Sequence, residues 1–364
     1  MKRVWSLLAA TLLAVGVTSV QAASPARNLD ATNGSQDASV STSIQSSKAY
    51  HRASDNVNVT VQFSNAGTAA VTLPQWLLDA DDLDRSFLKV TREGVAVPYM
   101  AAVVKRAAPT ADELIVLAPG ESISANYELS GSFDLTEGGA YQVAFDASAQ
   151  HALTTSVAPS GGIGIGVEAT PFRDLINPVD HLKAAGAGGI TYTGRCTASE
   201  KTSLVSALTA ASNYADAAVS YLAATPSATT RYTTWFGTFS ATNWNTVKSH
   251  FTKIKDVYDA KPLVFDCSCS KKNTYAYVYP SQPYKIYLCG AFWSAPMTGT
   301  DSKGGTLVHE TSHFTVVAGT QDYAYGQSAA KSLALSNPAQ AIMNADSHES
   351  FAENTPAQPS SEAS

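Results

Sequence analysis

Two histidines four residues apart, His309 and His313, mark the stretch of the chain whose residue types suit metal chemistry. On a helix that spacing puts both imidazoles on one face, near enough to hold a single ion. Glu310 follows the first histidine directly, so its carboxylate can reach a water bound to that ion. Zinc in such a site lowers the pKa of its water toward about 7, and a neighbouring carboxylate can take the proton and pass it to a leaving amine. The expected chemistry is hydrolysis of a peptide bond by zinc-activated water. Three fixed residues also recur by chance, so the pattern needs support from its surroundings.

A third protein ligand is usual in a catalytic zinc site. One common extension of the pattern places a glycine three and a histidine six residues beyond the second histidine, but Val316 and Gly319 stand there. Gly319 can end the helix and let the chain turn back, which would bring Asp322 under the metal. Glu349 and Glu353, further along on a later helical stretch, are the rivals; spacing favours Asp322 and leaves them open.

Periodicity shows which elements must position these groups. Residues 306–317 are amphipathic with a helical period. Upstream, Thr197 and Glu200 form a capping box, and Leu204, Leu208, Ala211, Ala215, Val219 and Leu222 follow at three- and four-residue steps. A second helix is expected over 244–258, strands over 264–288, and helix with breaks from Thr306 to about Asn354. Strands between helices make an α+β domain. The alternating segment Thr274–Tyr279 could offer an edge to a substrate backbone or be simply a half-buried strand.

The N-terminal half reads differently. Lys2 and Arg3, the apolar run Leu7–Val17 and the small-residue site ending at Ala22 make a signal peptide over 1–22. Between about 50 and 150 the period is two: Val57, Val59, Val61 and Phe63, then Ile123, Ala125, Tyr127 and Leu129, then Tyr141, Val143 and Phe145. Turn signals separate these runs, so an all-β antiparallel sandwich, immunoglobulin-like, is expected. The expected organisation is a β-sandwich pro-domain with a flexible lead-in over 23–182 and a Gly-rich linker over 183–190. The catalytic domain over 191–357 and a disordered tail over 358–364 complete it. Export makes disulfides the natural state of Cys196, Cys267, Cys269 and Cys289. Cys267 and Cys269 are too close in sequence to pair without strain, so each should reach a distant partner.

His-Glu-x-x-His followed by Gly319-Thr320-Gln321-Asp322 resembles the deuterolysin (aspzincin) family of zinc peptidases. Arg231–Gly237, Phe265–Cys269, Tyr275–Pro280, Leu288–Trp293 and Asn344–Glu349 resemble its peptidyl-Lys metalloendopeptidases. The resemblance covers 191–357 and says little about the N-terminal half. It implies one catalytic zinc ion on His309, His313 and Asp322, Glu310 as general base and acid, and Tyr325 as donor to the oxyanion. It implies the disulfides Cys196–Cys267 and Cys269–Cys289, and it implies that Asp346 and Glu349 bind the ammonium of a lysine just after the scissile bond. Two carboxylates three apart on a helix can share a cation, although Asp346 could instead be the N-cap of that helix.

Apolar residues make up 45% of the 364-residue chain and charged ones 15%, which fits a folded protein. A net charge of -6 without a dense Lys/Arg stripe argues against nucleic acid and anionic membranes as partners. The reading is a secreted, extracellular, monomeric zinc metalloendopeptidase, made as a zymogen, that cuts proteins or peptides before accessible lysines. A protease of broader specificity and an inactive exported binding protein are the alternatives. Self-cleavage at Leu182–Lys183 would release the pro-domain.

Overall fold

The period-two runs of the N-terminal half become strands because alternate side chains leave a strand on opposite faces, so one face can be wholly apolar. In the computed structural model, which describes residues 39–79, 84, 86–146, 155–169 and 189–359, they form β1 (Ser39–Ser46), β2 (Tyr50–His51), β3 (Asn58–Asn65), β4 (Val71–Pro74), β5 (Leu88–Arg92), β6 (Val95–Ala96), β7 (Val103–Arg106), β8 (Leu114–Leu117), β9 (Ser122–Glu128), β10 (Gly139–Phe145), β11 (Ser156–Val157) and β12 (Ile163–Val167). Among the described residues, the sheet β11-β1-β3-β9 and the sheet β2-β12-β10-β5-β6 share one core. Phe63 of the first meets Phe145 of the second edge to face at 5.1 Å, which fastens the two sheets together. These two sheets depart from the expectation in one respect: they are not purely antiparallel. β1 with β11 and β12 with β2 pair in parallel, through short strands that return to the sheets by long connections.

The C-terminal half has a core of its own. It comprises β13 (Ile190–Thr193), α1 (Ala198–Leu222), α2 (Thr230–Phe236), α3 (Ala241–Ala260), β14 (Leu263–Asp266), β15 (Thr274–Val278), β16 (Lys285–Leu288), α4 (Gly290–Ser294), α5 (Lys303–His313), α6 (Gly326–Ser336), α7 (Pro338–Ala341) and α8 (Ala345–Glu353). The Thr197–Glu200 capping box starts α1, and Leu204, Ala211, Ala215 and Leu222 are buried along it. Small residues on α1 let α5 approach closely: a Cβ at Gly304 would meet the Ala210 methyl at 2.8 Å. Both disulfides have the implied pairing, Cys196–Cys267 and Cys269–Cys289.

Strand order in the sheet of this half is β13-β14-β16-β15-β7. Its last member comes from the N-terminal half. β7 leaves the sandwich and pairs antiparallel with β15, setting Val103 opposite Val278, Val104 opposite Tyr277 and Lys105 opposite Ala276. All described residues lie in one compact unit, Gly34–Ser364. The expected signal peptide, the Gly-rich linker up to residue 188 and the Leu182–Lys183 bond lie outside the described residues, as does most of the tail; Ile190, expected as the end of the linker, already belongs to β13.

Candidate metal centre and lysine pocket

Every residue of α5 is buried, His309, Glu310 and His313 included. Ser302 caps the helix by accepting the Gly305 N–H at 2.9 Å. The helix ends earlier than its amphipathic pattern predicts, at His313 instead of Val317. The chain then turns through 314–319, where Gly319 takes the left-handed conformation (φ +63°) and its N–H returns to the Phe314 carbonyl. That turn brings Asp322 back beneath the histidines. A hydrogen bond from Gln321 N–H to the Met343 carbonyl, and one from Ala345 N–H to the Gln321 carbonyl, fix it against the start of α8.

The result is a compact cluster. Asp322 Oδ1 lies 3.0 Å from His309 Nε2 and 3.3 Å from His313 Nε2. His313 Nδ1–H donates to the Thr320 carbonyl at 2.8 Å, which leaves Nε2 bare and facing inward. His309 Nδ1 meets Asp346 Oδ1 at 2.8 Å on the opposite side of its ring. The two inward nitrogens, both oxygens of Asp322 and both oxygens of Glu310 are buried without a hydrogen-bond partner. Leaving that many polar atoms unsatisfied would cost several kcal/mol. Two imidazoles and a carboxylate at these separations suit a tetrahedral zinc ion, whose ligand atoms at about 2.0–2.2 Å stand roughly 3.3 Å apart. Glu349 and Glu353, the rival ligands, are not in this cluster.

Electrostatics follow from burial. Desolvation pushes the Glu310 carboxyl up to about 7, only partly opposed by the neighbouring imidazoles. Burial would raise Asp322 as well, but His313 and His309 hold it well below the usual carboxylate range. Burial keeps the Tyr325 phenol protonated far into alkaline pH.

A second cluster adjoins the first. Asp346 and Glu349 come from one face of α8, whose N-cap position is Asn344, so the N-cap alternative for Asp346 does not hold. Between them lies the ammonium of Lys105, from β7, 2.6 Å from Glu349 Oε2 and 3.5 Å from Asp346 Oδ1. Asp301 Oδ1 completes the set at 3.3 Å, and the Tyr275 ring lies 5.1 Å from the ammonium. The Lys105 side chain is 2% exposed. Burial would lower its pKa, yet Asp346, Glu349 and Asp301 hold it well above the ordinary lysine value. One residue earlier, the Val104 carbonyl accepts the Tyr325 hydroxyl at 2.8 Å. Arg106 is stacked on Trp76 and faces Asp84, so the sandwich grips the strand on its far side.

The structure places His309, His313 and Asp322 with Glu310, and Asp346 with Glu349 beside them, while the Tyr325 hydroxyl meets β7 at Val104. Lys105, Val104 and Asp301 are missing from the expectation. The short run Val103-Val104-Lys105-Arg106 gave no reason to single out one lysine among many, and Asp301 is far in sequence from both acids it joins. His348, between those acids, is fully buried and hydrogen-bonded to His250 at 3.0 Å, away from the metal cluster.

A buried His–His–Asp set beside an unpaired carboxylate, packed against β15, is the arrangement of a metal-dependent peptidase. Residues 221–353 match the family model of the aspzincins, described as lysine-specific metallo-endopeptidase. An extracellular protease of Aeromonas hydrophila is 41% identical over 312 residues, 84% of this chain and 90% of that protein. A peptidyl-Lys metalloendopeptidase of Armillaria mellea is 41% identical over 318 residues, 84% of this chain and 89% of its own length. That of Pleurotus ostreatus is 57% identical over 167 residues, 46% of this chain and 98% of its own. The chain belongs to the aspzincin family and is a zinc metalloendopeptidase.

Proposed function

We propose that this enzyme is secreted, cuts peptide bonds on the amino side of lysine, and is made with its N-terminal half as an inhibitory pro-domain. The observation that carries the specificity is the seating of Val104–Lys105. An ammonium lies in the acid pocket while the carbonyl just before that lysine accepts the Tyr325 hydroxyl. A substrate cut before lysine would present the same two groups in the same order. The names of the Armillaria and Pleurotus relatives agree with the specificity, and that of the Aeromonas relative agrees with export.

His309, His313 and Asp322 would hold the zinc, and their bare, buried ligand atoms support that assignment. When bound, zinc supplies a Lewis acid that makes water nucleophilic near neutral pH. Glu310 takes the proton of the attacking water and returns it to the leaving amine. Tyr325 donates to the carbonyl oxygen as negative charge develops there. The β15 edge aligns the substrate backbone, as it aligns β7 here.

The same seating supports the pro-domain role, because no peptide can reach β15 or the pocket while β7 fills them. Removal of the N-terminal half at Leu182–Lys183 stays part of the proposal; Glu310→Ala precursor should remain uncut, and normal processing of that form would overturn self-cleavage. To test the specificity, matured enzyme is incubated with a denatured protein and the new termini are mapped, with and without a chelator. Chelator-sensitive peptides starting with lysine are expected. Cuts spread over other residues would leave a broader peptidase and remove the pocket assignment.

A further inference from the structure

The pocket around Lys105 holds three carboxylates, and they are not equivalent. Asp346 has protein partners on both oxygens: Oδ1 lies 2.8 Å from His309 Nδ1, and Oδ2 accepts the Gly326 N–H. It is also the farthest of the three from the ammonium, at 3.5 Å. Its geometry is that of a group that fixes the ring of His309, as carboxylates behind metal-binding histidines do. Glu349 Oε2 is the nearest to the ammonium and lies 3.2 Å from His309 Nδ1, farther than Asp346 does, and its Oε1 is buried without a partner. Asp301 lies 3.3 Å from the ammonium, and Lys105 is its ion-pair partner among the described residues.

Asp301 is also held in place independently of Lys105. It adopts a left-handed conformation (φ 49°) immediately before the cap of α5, a conformation that aspartate tolerates. On one side the Gly299 N–H donates to the Tyr214 hydroxyl at 2.9 Å. On the other, the Ser302 N–H and hydroxyl both donate to Glu353 Oε1, at 2.9 and 2.7 Å. Gly305 makes room for this clamp, since a Cβ there would collide with Glu353 Oε1 at 2.0 Å. The carboxylate is therefore presented at the pocket mouth by a turn pinned at both ends, with its side chain 41% exposed toward solvent. An ammonium has three N–H donors, and three oxygens from three residues surround this one.

We propose that Asp301 is a specificity-determining residue of the lysine pocket, selecting the ammonium together with Glu349, while Asp346 acts chiefly as a positioning residue for His309. This rests on the reading of Lys105 as a stand-in for a substrate lysine. Asp301 is then a direct contact of the substrate side chain, and its loss should weaken lysine binding without touching the metal.

The test uses enzyme matured from the full chain and two peptides that differ only after the scissile bond, one with lysine and one with norleucine. Asp301→Asn keeps the shape and the left-handed preference but removes the charge. A KM about fivefold higher for the lysine peptide is expected, the size of a partly exposed ion pair, with the norleucine KM and the zinc content unmoved. Asp301→Glu should recover part of the lysine affinity. Asp346→Asn should instead lower zinc retention in a chelator titration, a readout independent of turnover. An unchanged lysine KM in Asp301→Asn, or an equal rise for both peptides, would overturn the assignment. Wild-type enzyme that does not distinguish the peptides would remove the lysine pocket itself, and Asp301 with it.

Discussion

Two buried clusters lie side by side in this molecule, both rich in carboxylates and sharing His309. In the metal centre the inward atoms of His309, His313, Asp322 and Glu310 have no partner within the protein. In the acidic pocket an ammonium delivered by a strand of the other half answers the charge, and of its buried carboxylate oxygens only Glu349 Oε1 is left without a hydrogen-bond partner. The difference shows what each awaits. On the proposed reading, the cluster with orphaned atoms awaits a metal that the chain does not encode, and the cluster satisfied from a remote segment awaits a substrate group that the segment imitates.

The largest effect that could break this contrast lies at Glu310. Glu310→Gln should cut kcat by roughly a thousandfold or more while zinc stays bound, because it removes the proton acceptor and no ligand. Retained activity in a stopped assay, with metal content verified, would end the assigned role. Tyr325→Phe comes next, with a loss of about a hundredfold expected in kcat from removing one oxyanion donor. An equal change in KM alone would make Tyr325 a binding residue.

Lys105→Ala sharpens the other side of the comparison. Without its ammonium the strand should leave the cleft more readily, and full-length precursor should show roughly tenfold more activity on a small peptide, or mature faster. It should also leave Asp346 and Glu349 as buried uncompensated charges, so a lower melting temperature is expected in the same variant. Precursor activity equal to wild type would mean that β7 does not guard the site.

The smallest effect concerns Glu353, whose burial beside Glu349 pushes it up to about 8. The folded state then holds a proton that the unfolded chain releases near pH 4.5, so this group's contribution weakens as pH rises from about 4.5 to 8. Glu353→Gln should flatten that decline and gain on the order of 1 kcal/mol at pH 8. Denaturant melts at pH 5 and 8 would show it; an unchanged slope would place the titration elsewhere.

How much of this was legible follows the same division. The proposed metal centre is written locally: His309, Glu310 and His313 lie on one helix, and Gly319 signals the turn that returns Asp322. The cap and apolar spacing of α1 and the alternation of β3, β9 and β10 are equally local, and the structure keeps them. The parallel pairings of β1 with β11 and β2 with β12 were not legible, because short strands joined by long connections leave no mark on periodicity. Nor was the guest strand. A lysine on β7 becomes meaningful only when the topology carries it from the sandwich to the edge of a sheet in the other half. Likewise the helical pattern overran α5 at its C-terminal end, since Phe314, Val316 and Val317 keep the chain apolar after the helix has stopped.

The most direct measurement takes the guest strand out of the protein. A synthetic peptide covering residues 101–109 would be incubated with matured enzyme, and its products identified by mass spectrometry with and without a chelator. A single chelator-sensitive cut between Val104 and Lys105 is the predicted result. Cleavage at another bond, or a peptide left intact by enzyme that digests other substrates, would contradict the substrate register on which the account stands.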